Sequence, residues 1–182
     1  MTDKEVILVT GGCRSGKSSY ALQLLADAPA KVYVATAPVT DDEMKDRVRR
    51  HREERGSAWR TVEEPIEVPT VLDREAASGE PVVIDCLTTW VSNLTLQDGG
   101  NAETRALEYL DRLLESVEGY PARIVLITNE VGSGVVPPYP LGRLFRDLAG
   151  IVNQRVGKAA DRIVLMVCGC PVFVKGKVEP GL

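Results

Sequence analysis

Eight residues near the start of the chain, Gly11-Gly12-Cys13-Arg14-Ser15-Gly16-Lys17-Ser18, have the types and spacing to hold a row of phosphates. Glycines let the backbone wrap closely around phosphate oxygens, and successive N–H groups with a helix N-terminus offer partial positive charge. Lys17 is placed to reach the β- and γ-phosphates, and Ser18 to hold a Mg²⁺ ion. A second acid with the right context is Asp85, which ends the apolar run Val82-Val83-Ile84. A carboxylate at such a strand end can hold Mg²⁺ directly or through water. It can also simply cap the following helix, but the phosphate loop upstream favours the metal reading. Thr128-Asn129-Glu130 ends another apolar run, and there ordinary turn chemistry and a site role stand equal.

The single histidine, His51, lies within Arg47-Val48-Arg49-Arg50-His51-Arg52-Glu53-Glu54-Arg55, which holds five arginines in nine residues. Neighbouring guanidinium charges favour a neutral, nucleophilic imidazole near pH 7, and their forked donors match phosphate oxygens. A neutral imidazole beside bound phosphates is what a covalent phosphoramidate needs. The residues alone leave open a plainer alternative, a helix-face histidine in a solvated charge run balanced by Glu53 and Glu54.

The elements that must position these residues alternate along the chain. Val6–Thr10 reads as a central parallel strand, apolar on both faces, with a helix from Ser18 to Leu25. Further strands are expected at Lys31–Thr36, Trp59–Glu63, Val82–Cys86, Arg123–Thr128 and Arg162–Val167. Helices are expected at Asp41–Arg55, Leu87–Gln97, Ala102–Ser116 and Leu141–Ala159, with a helical or irregular stretch at Pro69–Ala77. Thr40-Asp41-Asp42-Glu43 forms a capping box for the first of these. Repeated strand–helix units predict an α/β fold of P-loop NTPase type, a mainly parallel sheet flanked by helices on both faces. Val172–Lys175 is expected as an edge strand at the C-terminus, antiparallel to the rest. In such a sheet ligands bind at the carboxyl ends of the strands, where the loop, Asp85 and Asn129-Glu130 all fall.

Composition narrows the function. The 182 residues suit one domain, residues 1–182, with a substantial core. Hydrophobic content of 44% and charged content of 26% are those of an ordinary globular protein. A net charge of −4 gives no overall basic footprint for nucleic acid or an anionic membrane. No apolar run reaches the ~20 residues that span a bilayer, and no apolar signal segment precedes the first strand, so the expected location is cytoplasmic. The cysteines Cys13, Cys86, Cys168 and Cys170 lack C-x-x-C spacing and, with one histidine in the chain, predict reduced thiols rather than a zinc site. Cys13 in the phosphate loop is expected to make nucleotide binding oxidant-sensitive.

Nearly end to end the chain resembles the bifunctional adenosylcobinamide kinase / adenosylcobinamide-phosphate guanylyltransferase family of cobalamin assembly. The resemblance is carried by Ile7 to Ser18, Tyr33-Val34-Ala35-Thr36, Arg47-Val48-x-x-His51-Arg52 and Trp59-Arg60-Thr61-Val62-Glu63. Asp85-Cys86-Leu87-Thr88-Thr89-Trp90, Asn129-Glu130-Val131-Gly132 and Phe145-Arg146-Asp147 with Asn153-Gln154 extend it. It implies two steps: a nucleoside triphosphate (ATP or GTP) phosphorylates adenosylcobinamide, then GTP donates GMP to that phosphate through a guanylylated histidine, releasing pyrophosphate. His51 is the residue that matches this role, with Lys17 serving catalysis and Ser18 and Asp85 holding Mg²⁺. The resemblance places nucleotide contacts on Gly11, Gly12, Cys13, Arg14, Ser15, Gly16, Lys17 and Ser18, and on Ala35, Thr36 and Ala37. It adds Arg52, Glu53, Glu54 and Arg55, together with Glu63 and Asp85. It also implies a homotrimer. The Pro137-Pro138-Tyr139-Pro140 stretch is expected as a stiff exposed loop, either flanking the corrinoid or a plain turn. The rivals are another small-molecule kinase with a structural His51 and a GTP-binding switch, although no N-K-x-D guanine motif is present.

Overall fold

The computed structural model describes residues 4–38, 55–97 and 100–176. Seven strands form one sheet: β1 (Val6–Gly11), β2 (Lys31–Ala35), β3 (Trp59–Glu63), β4 (Val82–Asp85), β5 (Ile124–Ile127), β6 (Arg162–Val167) and β7 (Cys170–Lys175). Their order is β3-β2-β4-β5-β1-β6-β7. Every neighbouring pair is parallel except β6 and β7. Among the described residues five α-helices accompany them: α1 (Lys17–Gln23), α2 (Val68–Glu75), α3 (Leu87–Leu96), α4 (Ala102–Gly119) and α5 (Pro140–Ala159). The helix expected over Asp41–Arg55 lies, apart from Arg55, outside the described residues.

Alternation along each strand sends side chains to opposite faces, so strands apolar on both faces demand cover on both. On one face Ile7, Val9, Val83 and Val125 pack with Tyr20 and Ala21 of α1 and with Leu24, its C-cap. On the other, Leu8, Val34, Ile84 and Leu126 pack with α2, α3, α4 and α5. Ala106, Leu110, Leu113 and Val117 make the buried stripe of α4 at helical spacing. Trp90 of α3 is fully buried and its Nε1 donates to Ile66 O at 2.8 Å. Its burial contributes roughly 3 kcal/mol.

Two local devices fix the ends. Cys86 caps α3, its Sγ accepting from Thr89 N at 3.4 Å, so Asp85 is not the cap and β4 ends one residue earlier than expected. The β6–β7 turn is Cys168-Gly169, with φ of 51° and 83°. Two successive left-handed residues make the tight turn that matches strand twist. This turn starts β7 at Cys170, two residues before the expected Val172. Pro171 is tolerated there because β7 lies at the edge of the sheet. Pro140 opens α5, where a missing N–H is harmless, so it belongs to the helix rather than to the loop before it.

Candidate active site

Register places the expected residues at one level. Ala35 pairs with both Glu63 and Asp85, and Asp85 with Ile127. Ile127 pairs with Val9, so the phosphate loop begins two residues beyond that line, at the carboxyl edge. There Gly11 has φ 145° and a Cβ would lie 2.5 Å from Met166 O. No other residue fits that approach between β1 and β6. Gly16 has φ 98° and immediately precedes α1. The loop is pinned from the far side, where Gly169 N donates to Ser15 O at 3.0 Å. Lys17 is 8% exposed, with Nζ donating to Gly12 O at 2.6 Å, so its charge lies over the loop.

On the β2–β4 side of the loop, Asp85 is the hub. Ser18 Oγ donates to Asp85 Oδ2 at 2.8 Å, and Tyr33 Oη donates to the same oxygen at 2.6 Å. Burial first, and the Asp85 charge second, raise the Tyr33 phenol far above its ordinary value, keeping it a donor. Arg55 stacks its guanidinium 3.7 Å from the Tyr33 ring centroid and donates to Thr61 Oγ1 at 3.1 Å. A cation over an aromatic face is attracted by the ring quadrupole, which holds the Arg55 charge beside Tyr33. Thr36 ties the β2 and β4 ends: its Oγ1 donates to Cys86 O and accepts from Cys86 N, each at 2.8 Å. Burial, then the Asp85 charge, push the Cys86 thiol up, leaving it an inert cap.

Ser18 and Asp85 offer adjacent hard oxygen donors, the type Mg²⁺ takes in ones or twos beside phosphate. Among the described residues no group of three or more His, Cys, Asp or Glu could hold a metal. The pair of donors fits a cation shared with phosphates.

Thr128 and Asn129 act as ties. Thr128 Oγ1 donates to Asn153 Oδ1 at 2.6 Å, Asn153 Nδ2 donates to Asn129 O at 3.2 Å, and Asn129 N donates to Thr88 Oγ1 at 2.8 Å. These bonds fasten α3 and α5 to the end of β5. Glu130 differs: it is exposed, and Thr10 Oγ1 donates to its carboxylate.

The structure thus brings together the phosphate loop, Ala35, Thr36, Ala37, Arg55, Glu63 and Asp85 along the carboxyl edge. His51, Arg52, Glu53 and Glu54 lie outside the described residues. Tyr33 is the site residue that sequence reasoning missed. Its signal was a lone hydroxyl in the buried strand Lys31-Val32-Tyr33-Val34-Ala35, where a partner had to exist.

A family model described as "Cobinamide kinase / cobinamide phosphate guanyltransferase" matches residues 7–174. The chain is 41% identical over 180 residues to the bifunctional adenosylcobalamin biosynthesis protein CobU of Salmonella typhimurium, covering 93% of this chain and 99% of the relative. It is 39% identical over 180 residues to CobU of Escherichia coli, with the same coverage. It is 40% identical over 171 residues to the bifunctional adenosylcobalamin biosynthesis protein CobP of Pseudomonas aeruginosa, covering 93% of this chain and 97% of the relative.

Proposed function

The chain belongs to the cobinamide kinase / cobinamide phosphate guanyltransferase family, and from that premise we propose that it carries out both steps in one domain. It phosphorylates adenosylcobinamide, then transfers GMP from GTP to adenosylcobinamide-phosphate, giving adenosylcobinamide-GDP and pyrophosphate for cobalamin assembly. The observation that supports this most is the hub at Asp85, which joins Ser18, Tyr33 and, through Tyr33, Arg55 beside the phosphate loop.

The loop backbone and Lys17 cradle the triphosphate, and Lys17 neutralises charge that builds on the transferring phosphoryl group. Ser18 and Asp85 would hold Mg²⁺, which when bound neutralises charge on the phosphate oxygens. Tyr33 orients the Asp85 carboxylate, and Arg55 adds a fixed positive charge on that side. Ala35, Thr36, Ala37 and Glu63 line the same edge and take part in nucleotide binding. His51 is the nucleophile of the second step: its nitrogen bonds to the α-phosphorus of GTP, pyrophosphate leaves, and the acceptor phosphate then displaces GMP from the histidine. Arg52, Glu53 and Glu54 complete the nucleotide contacts. Assembly as a homotrimer is part of this reading, supported by Val135 and Tyr139, which stand 94% and 73% exposed before α5. Among the described residues no helix is long and apolar enough to cross a membrane, and we place the enzyme in the cytoplasm.

The test is covalent labelling with α-labelled GTP and Mg²⁺. An acid-labile, alkali-stable label with stoichiometric pyrophosphate is expected, and His51→Ala abolishes it while keeping much of the kinase rate. A label that survived in His51→Ala would remove the nucleophile assignment.

A further inference from the structure

The phosphate loop has a second side, away from Asp85. There a cavity of about 890 Å³ opens between α5 and the β6–β7 end of the sheet, and the loop residues Gly12, Cys13 and Arg14 form one of its walls. Leu165 and Val167 of β6 and Val174 of β7 line the opposite wall. Val174 is 62% exposed, and Val167 is 48% exposed. Asn153 and Gln154 of α5 supply amide groups, and Glu130 stands where the cavity meets the loop. The cavity lies within the ~300–1,000 Å³ usual for small-molecule sites, and its apolar walls with few polar groups have the usual make-up.

We propose that this cavity is the acceptor site, seating a bulky, largely apolar ring fringed with amides, and that Glu130 takes the acceptor's hydroxyl proton in the kinase step. The proposal rests on the two-step reading above. In phosphoryl transfer the attacking and leaving oxygens lie roughly in line across the phosphorus. The cavity opens onto the loop beside Glu130, so an acceptor seated there can bring its hydroxyl to the terminal phosphate along that line. Its chemistry suits the acceptor better than a second nucleotide, because among the described residues that line it Arg14 is the only cation. Asn153 is held by Thr128 and Asn129, so its amide is oriented before a ligand arrives.

Glu130 is held at the loop's edge by Thr10 Oγ1 and by its own N–H, which donates to Gly11 O at 3.4 Å. In the kinase step the acceptor oxygen bonds to the γ-phosphorus as its proton passes to the Glu130 carboxylate. The bond from the γ-phosphorus to the β,γ-bridging oxygen breaks, and the nucleoside diphosphate leaves with that electron pair. In the second step the acceptor is a phosphate monoester, whose last proton is mostly gone at neutral pH (second pKa about 6). No base is then required, so Glu130 serves one step and not the other.

Val174→Arg and Glu130→Gln test the two parts. Each is assayed in the full-length protein for cobinamide binding by equilibrium dialysis, both step rates, α-GTP labelling and native mass. Val174→Arg is expected to weaken cobinamide binding at least about tenfold, by placing a charge against an apolar ligand, with labelling and mass unchanged. Glu130→Gln is expected to cut the kinase kcat by about 10²-fold, the usual contribution of a general base, and to leave guanylyl transfer within about threefold. Unchanged cobinamide binding in Val174→Arg, or a changed mass that marks the face as a subunit interface, overturns the cavity assignment. Equal loss of both steps in Glu130→Gln overturns the base. A wild-type protein that labels with GTP yet binds no cobinamide would defeat the two-step reading and this proposal together. Normal wild-type turnover with an indifferent Val174→Arg defeats the proposal alone.

Discussion

Around Asp85, a serine, a tyrosine and, through the tyrosine ring, an arginine converge on one carboxylate. Across the phosphate loop, around Leu165 and Val174, the lining is more apolar, with Asn153, Gln154 and Glu130 among its polar groups. The difference follows from what each side must recognise. A triphosphate carries concentrated charge, which fixed dipoles and cations stabilise best when held in place beforehand. A large apolar acceptor is held by area removed from water, which needs shape more than a rigid polar network. The loop itself belongs to both sides, so changes there differ in kind from changes on either flank.

The largest effect is expected at that shared element. Lys17→Ala should lower both the kinase and the guanylyltransferase rates, each on the order of 10³-fold, as loss of a key electrostatic stabiliser does. Rate measurements on the separate steps check it, and loss of only one step would show that the two do not share the loop. A smaller and one-sided effect is expected from Asp85→Asn. It should reduce both rates about 10–100-fold, with recovery at higher Mg²⁺, as lost metal positioning does. Cobinamide binding in that variant should stay within about twofold; a parallel fall would break the separation of the two sides.

The smallest effect lies away from both sides. Glu75 of α2 is almost buried and pairs with Arg60, whose side chain is 50% exposed. Hydrogen bonding from Arg60 is the main cause that holds the Glu75 carboxyl below its ordinary 4.5. Glu67 is lowered too, chiefly by the hydrogen bond from Tyr109. A carboxyl lowered in the folded state stabilises above its unfolded value and loses that contribution as pH falls through the lower, folded value. Stability should therefore decline below about pH 4.5, and Glu75→Gln should flatten that decline. At neutral pH Glu75→Gln should cost about 1–2 kcal/mol, kept modest by the exposure of Arg60. Urea unfolding across the acid range checks this, and the KM values for nucleotide and cobinamide should not move.

Much of this was legible in the sequence. The strand runs could be read because a parallel sheet covered on both faces needs continuous apolar strands, as in Val82-Val83-Ile84 and Ile124-Val125-Leu126. The phosphate loop was legible because glycine spacing and a following Lys-Ser pair have few other uses. The cap of α3 by Cys86 was not anticipated, because thiol capping carries no strong sequence signal. The start of β7 was missed because Cys168-Gly169 makes an uncommon turn pair, and left-handed backbone at a cysteine is not anticipated from composition.

The sequence by itself determined the element order, the apolar faces and the phosphate loop, since each is a local pattern set by backbone geometry and side-chain periodicity. Only the tertiary structure decided which strand ends stand side by side. Tyr33 and Asp85, 52 residues apart, meet at one oxygen because β2 and β4 are neighbours in register. Glu130 reaches Thr10 across 120 residues because β5 lies against β1. Strand order is set by the packing of the whole sheet, and no local pattern encodes it.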